Sequence, residues 1–130
     1  MEADKKYSIL IVDDDKFLID MYSVKFVEKG FTVETAMNGP EALQKMDGGL
    51  TPDIFLVDIV MPVMDGFELI QHIIQRQKEK RSAIIVLSNL GQKEDMEKGL
   101  ALGADGYIVK ASATPSEVVS KVIEIVTRHP

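Results

Sequence analysis

Residues 54–58 read Ile54-Phe55-Leu56-Val57-Asp58, four apolar residues closed by a carboxylate, and the same pattern returns on either side of them. Upstream, Ile9-Leu10-Ile11-Val12 runs into Asp13-Asp14-Asp15. Downstream, Ile84-Ile85-Val86-Leu87 runs into Ser88, and Tyr107-Ile108-Val109 into Lys110. Short unbroken apolar runs mark strands buried on both faces of a parallel sheet, whose ligands gather beyond the carboxyl ends of the strands. Four strands thus deliver carboxylates, a hydroxyl and an ammonium to one edge, a set suited to a divalent cation and a phosphoryl group. A lone aspartate after a strand is usually a turn residue or a helix cap. The coincidence of four complementary strand ends argues for a site instead.

Helix-like segments alternate with these runs. The first strand spans about Tyr7 to Val12. From Asp15 to Lys29, Leu18, Met21, Tyr22 and Phe26 recur at helical spacing until Gly30 stops the pattern. Phe31 to Ala36 alternates in polarity, as a half-exposed edge strand does. Asn38, three residues before Glu41, opens a helix to about Met46. Asp65-Gly66 leads into a helix with Phe67, Ile70, Ile73 and Ile74 on one face. The segment from about Gln92 to Leu102 reads as a helix interrupted by Gly99, carried by Met96, Leu100 and Leu102, with Gly103 as its C-cap. A fifth strand runs from about Gly106 to Lys110. Thr114-Pro115-Ser116-Glu117 then opens a last helix with Val118, Val119, Val122, Ile123 and Val126 inward. Five βα units predict an α/β, doubly wound parallel sheet with right-handed crossovers, in a single domain over residues 1–130.

Composition excludes several classes of function. A formal charge of −6, from 15 basic and 21 acidic residues with no arginine-rich stripe, argues against direct nucleic-acid binding. With no cysteine there is neither a disulfide framework nor a thiolate metal site. No run reaches membrane-spanning length and Met1 to Lys6 lacks a signal-peptide core, so a cytoplasmic protein is expected. His72 and His129 have no second histidine at ligand spacing, the seven methionines read mostly as core filler, and Lys78-Glu79-Lys80-Arg81 reads as a solvated charge run.

Taken together, Asp13-Asp14, Asp58 followed by Met61-Pro62-Val63-Met64-Asp65-Gly66, Ser88, and Gly103-Ala104-Asp105-Gly106-Tyr107 leading to Lys110 resemble the receiver domain of two-component response regulators. The resemblance covers essentially the whole chain. It implies a flavodoxin-like (βα)5 fold with strand order 2-1-3-4-5. It also implies a phosphoacceptor signalling domain, not an enzyme, that assists its own phosphorylation and dephosphorylation. Asp58 would accept a phosphoryl group from a histidine kinase or a histidine phosphotransfer protein. Mg²⁺ would be held directly by Asp14, Asp58 and the backbone carbonyl of Val60, and through water by Asp13. Lys110 and Ser88 would contact phosphoryl oxygens, and Tyr107 would follow Ser88 in the switch. An output protein or a phosphatase completes the implied partners, with no direct role for nucleic acid or membrane.

Three positions depart from the family pattern. Asn89 follows Ser88 where a small residue is usual, Ser88 stands where threonine is common, and Ala111 follows Lys110 where proline is usual. A cis bond without proline costs about 3 kcal/mol, so Lys110–Ala111 is expected to be trans. Val60 and Leu90 offer an attacking water no hydrogen bond, which predicts slow self-dephosphorylation. Two other readings are open at this level. A receiver fold that binds a partner without phosphorylation is expected to lose Asp58, Asp14 or Lys110, and this chain keeps all three. A phosphohydrolase of the haloacid dehalogenase type places a second aspartate two residues after the nucleophile, where this chain has Val60.

Overall fold

The structure is a computed structural model that describes residues 6–77, 81–89 and 92–128. Its five strands are β1 (Ser8–Val12), β2 (Thr32–Ala36), β3 (Ile54–Val57), β4 (Ala83–Ser88) and β5 (Gly106–Val109). They form one parallel sheet in the order β2-β1-β3-β4-β5. The helices are α1 (Lys16–Glu28), α2 (Gly39–Asp47), α3 (Gly66–Arg76), α4 (Lys93–Leu102) and α5 (Pro115–Arg128).

Period-two alternation along each strand feeds two separate cores, which is why the runs look continuously apolar. Leu10, Val12, Phe55, Val57, Ile84 and Val86 face Leu69, Ile70 and Ile73 of α3. Ile9, Ile11, Leu56, Ile85, Leu87 and Ile108 face Ile19, Tyr22 and Phe26 of α1 and the buried valines of α5. Each such side chain, taken fully out of water, contributes roughly 1.5–3 kcal/mol before entropy is subtracted.

The helix starts follow from their capping residues. Asp15 accepts a hydrogen bond from the Leu18 amide at 3.2 Å, Asn38 from Glu41 at 2.7 Å, and Asp65 from Glu68 at 2.9 Å. Thr114 and Glu117 cap each other reciprocally at the start of α5.

The structure corrects several details of the sequence reading. Gly99 does not interrupt α4: it lies inside a continuous helix as that helix's single buried residue, while Leu100 is half exposed. The fifth strand ends at Val109, and Lys110 opens a 3-10 turn, Lys110–Ser112. Ile19 and Leu69, not assigned inward from spacing, are core residues, whereas Ile74 is exposed. Residues 78–80, Leu90 and His129 lie outside the described residues.

Candidate functional site

The carboxyl ends of β1, β3, β4 and β5 bring the expected groups to one place. Asp13, immediately after β1, is 1 % exposed; its Oδ1 accepts from the Asp15 amide at 2.9 Å, and its Oδ2 lies 2.6 Å from Lys110 Nζ. Asp58 follows β3, held by its amide donating to the Val12 carbonyl at 2.9 Å. Its Oδ2 stands 3.3 Å from Lys110 Nζ, and its Oδ1 accepts a long bond from the Val60 amide at 3.4 Å. Asp14 is exposed, yet one oxygen from each of Asp13, Asp14 and Asp58 falls within 4.8 Å of the others.

Lys110 is thus shared between two buried carboxylates and lies closer to Asp13 than to Asp58. Burial by itself favours its neutral form, but the hydrogen bond to Asp13 and the charges of both aspartates outweigh that and raise its pKa. Burial pushes the Asp58 carboxyl up from its ordinary value; Lys110 opposes the shift and Asp13 reinforces it. Three carboxylates against one ammonium leave the pocket negative. Hard oxygen donors with excess negative charge fit a small divalent cation such as Mg²⁺.

Ser88, the last residue of β4, is buried and pairs in register with Val109 of β5. Its side chain is hydrogen-bonded to that of Tyr107, which is half-buried on β5; burial and then the charge of Asp95 raise the tyrosine pKa. The Val60 side chain is 59 % exposed on the pocket rim, and Asn89 is also exposed. No peptide bond among the described residues is cis, so Lys110–Ala111 is trans.

A neighbour of the site that motif reading missed lies on α1. Tyr22 is buried on α1, and its phenol feels the charges of Lys110, Asp13, Asp15 and Asp58, although burial is the main reason its pKa is raised. Helical side chains lean toward the helix N-terminus, so the ring reaches back toward the Asp13 end of α1. Spacing placed Tyr22 on the inner face and gave no sign of this second environment. His72 stands apart from the site, 3.9 Å from Glu68.

The acidic, lysine-bridged pocket lies beyond the carboxyl edge of a parallel α/β sheet, where ligands of such folds bind. Residues 9–123 match the response regulator receiver domain, and the chain belongs to that family. It is 33 % identical over 120 residues to the phosphate regulon transcriptional regulatory protein PhoB of Rhizobium meliloti, covering 92 % of this chain and 52 % of that protein. It is 34 % identical over 119 residues to the chemotaxis protein CheY of Halobacterium salinarum, covering 92 % of this chain and 96 % of that one. In three dimensions it resembles the CheX–CheY–BeF3–Mg²⁺ complex from Borrelia burgdorferi, with a TM-score of 0.83 at 31 % identity over 92 % of this chain and 89 % of that one. The chain spans about half the length of several of the curated relatives it matches.

Proposed function

We propose that this receiver domain is switched by transfer of a phosphoryl group from a phosphohistidine to Asp58. The observation that carries the reading is the Asp58 carboxylate itself, buried at the end of β3, 3.3 Å from the Lys110 ammonium and beside two further carboxylates. In the transfer, an Asp58 oxygen forms the new P–O bond as the P–N bond to the donor imidazole breaks, and the imidazole nitrogen leaves with the bonding pair. Two anions must approach for this to happen, so positive charge is the principal requirement.

Lys110 supplies one such charge from the protein. Asp14, Asp58 and the Val60 carbonyl would hold Mg²⁺ directly, with Asp13 acting through water. When bound, the ion neutralises charge on the phosphoryl oxygens. The Borrelia relative was solved as a complex with BeF3 and Mg²⁺, which supports a divalent ion as the partner of such a pocket. Ser88 would donate to a phosphoryl oxygen, and the Ser88–Tyr107 hydrogen bond gives that event a route to β5 and the neighbouring α4. A histidine kinase or a histidine phosphotransfer protein upstream, and an output protein or a phosphatase downstream, are the partners of this reading, in the cytoplasm. No helix among the described residues is long and apolar enough to cross a membrane.

Thermal melting tests the pocket. Mg²⁺ at ten times its dissociation constant should add ~1.4 kcal/mol of stability, and beryllofluoride should add more in wild type but nothing in Asp58→Asn. Melting temperatures insensitive to both ligands would favour an interaction module that is never phosphorylated.

A further inference from the structure

Among the described residues β2 is an edge strand, with β1 on one side and no strand on the other. The Thr32 amide donates to the Tyr7 carbonyl at 2.9 Å, and the Ala36 carbonyl accepts from the Asp13 amide at 3.1 Å. Residues 32, 34 and 36 therefore turn their backbone groups toward β1, and Val33 and Thr35 turn theirs toward the open edge. Such an edge is a template for a further strand, and Thr32-Val33-Glu34-Thr35 is rich in the β-branched residues that favour pairing.

Two side chains of α2 occupy this edge. Lys45 Nζ donates to the Thr35 carbonyl at 2.5 Å, and Glu41 Oε1 accepts from the amide of Met37, the residue after β2, at 2.9 Å. One residue of an added parallel strand would make the same pair of bonds, donating its N–H to a carbonyl and accepting from the amide two residues further along. Glu41 and Lys45 stand one helical turn apart with 3.9 Å between their charged atoms, and Glu34 of β2 lies 3.5 Å from Lys45. A glutamate three residues after a helix cap ordinarily bonds the amide of the cap itself, here Asn38. Glu41 instead bonds one residue earlier, toward β2.

We propose that Glu41 and Lys45 close the β2 edge by standing in for one residue of a sixth strand, which keeps β2 of a second copy of this chain from pairing there. A second copy is the partner excluded because each copy presents the same β-prone edge, and two such edges can meet antiparallel about a twofold axis. Pairing would have to displace the charge-assisted bond to the Thr35 carbonyl in each copy. The surface uses neither Asp58 nor Lys110 and lies at the opposite end of the sheet from β5. The inference thus goes beyond the phosphoacceptor reading and does not depend on it.

The test is sedimentation velocity of the whole chain across a concentration series. Lys45→Met keeps the stem and removes the donor, and it should strengthen self-association by about tenfold or more relative to wild type. Adding Thr35→Pro, which removes only an amide facing the open edge, should abolish that gain. In Lys45→Met, amide hydrogen exchange at Val33 and Thr35 should slow as concentration rises. Three results would each overturn the proposal: self-association no stronger than that of wild type, a gain that survives Thr35→Pro, or a gain without slower exchange at those two amides. If the proline variant does not fold, the exchange measurement decides alone. Neither outcome bears on phosphorylation at Asp58, which is measured separately.

Discussion

On the β3–α3 side of the pocket, a methyl group on Gly66 would lie 2.7 Å from Ile59 Cα and closer still to the Asp58 carbonyl oxygen, whereas on the α4 side a methyl on Gly99 would meet only side chains at van der Waals distance. Gly66 also donates its amide to the Ile59 carbonyl at 2.8 Å, which clamps the start of α3 to the chain just beyond Asp58. The first side is held by backbone against backbone, and the second by an aromatic ring, a capless helix start and a glycine without steric need. The contrast is between a side of the pocket fixed by backbone contacts and a side held by side chains alone. Lys110 reaches from the β5 side into the fixed side through its two ion pairs.

Removing that bridge should have the largest effect. Lys110→Ala leaves the buried Asp13 and Asp58 carboxylates without their shared counter-charge, which should cost about 3–5 kcal/mol in urea unfolding. Millimolar Mg²⁺ should restore part of the loss. A variant as stable as wild type would show that the pocket tolerates its carboxylates unaided. Next comes Gly66→Ala, expected to cost about 3 kcal/mol because the obstructing atoms are backbone and cannot rotate away; a neutral result would erase the difference between the two sides.

The smallest effect runs in the stabilising direction. Val63, in the loop between β3 and α3, is the one non-glycine among the described residues with positive φ, at 73°, and it is 90 % exposed. A β-branched residue is strained in that region, and little packing offsets the strain. Val63→Gly should therefore gain about 1 kcal/mol after the entropic cost of glycine. If stability falls instead, the valine side chain makes a contribution that its exposure conceals.

Much of this was legible in the sequence, for local reasons. The strand ends were visible because four apolar residues followed by a polar one need no distant partner to interpret. Asp15, Asn38, Asp65 and Thr114 announced helix starts because a cap bonds within three residues of itself. The arrangement of Lys110 was not legible. Its closest partner, Asp13, follows β1, a strand separated from β5 by β3 and β4, so nothing local in the sequence announces the pairing. Gly99 was misread as a break because propensity speaks of glycine in isolated helices, while the packing of α4 on Val86, Tyr107 and Phe67 is a tertiary fact. The left-handed Val63 could not have been anticipated, since valine is among the residues least suited to that conformation.

Phosphorylation at Asp58 is what the rest depends on, and incubation with acetyl phosphate and Mg²⁺ followed by intact-mass spectrometry measures it directly. Wild type should gain one phosphoryl group that hydroxylamine removes, and Asp58→Asn should gain none. Labelling that survives in Asp58→Asn, or a wild type that remains unlabelled while binding Mg²⁺, would contradict the assignment of Asp58 as the acceptor.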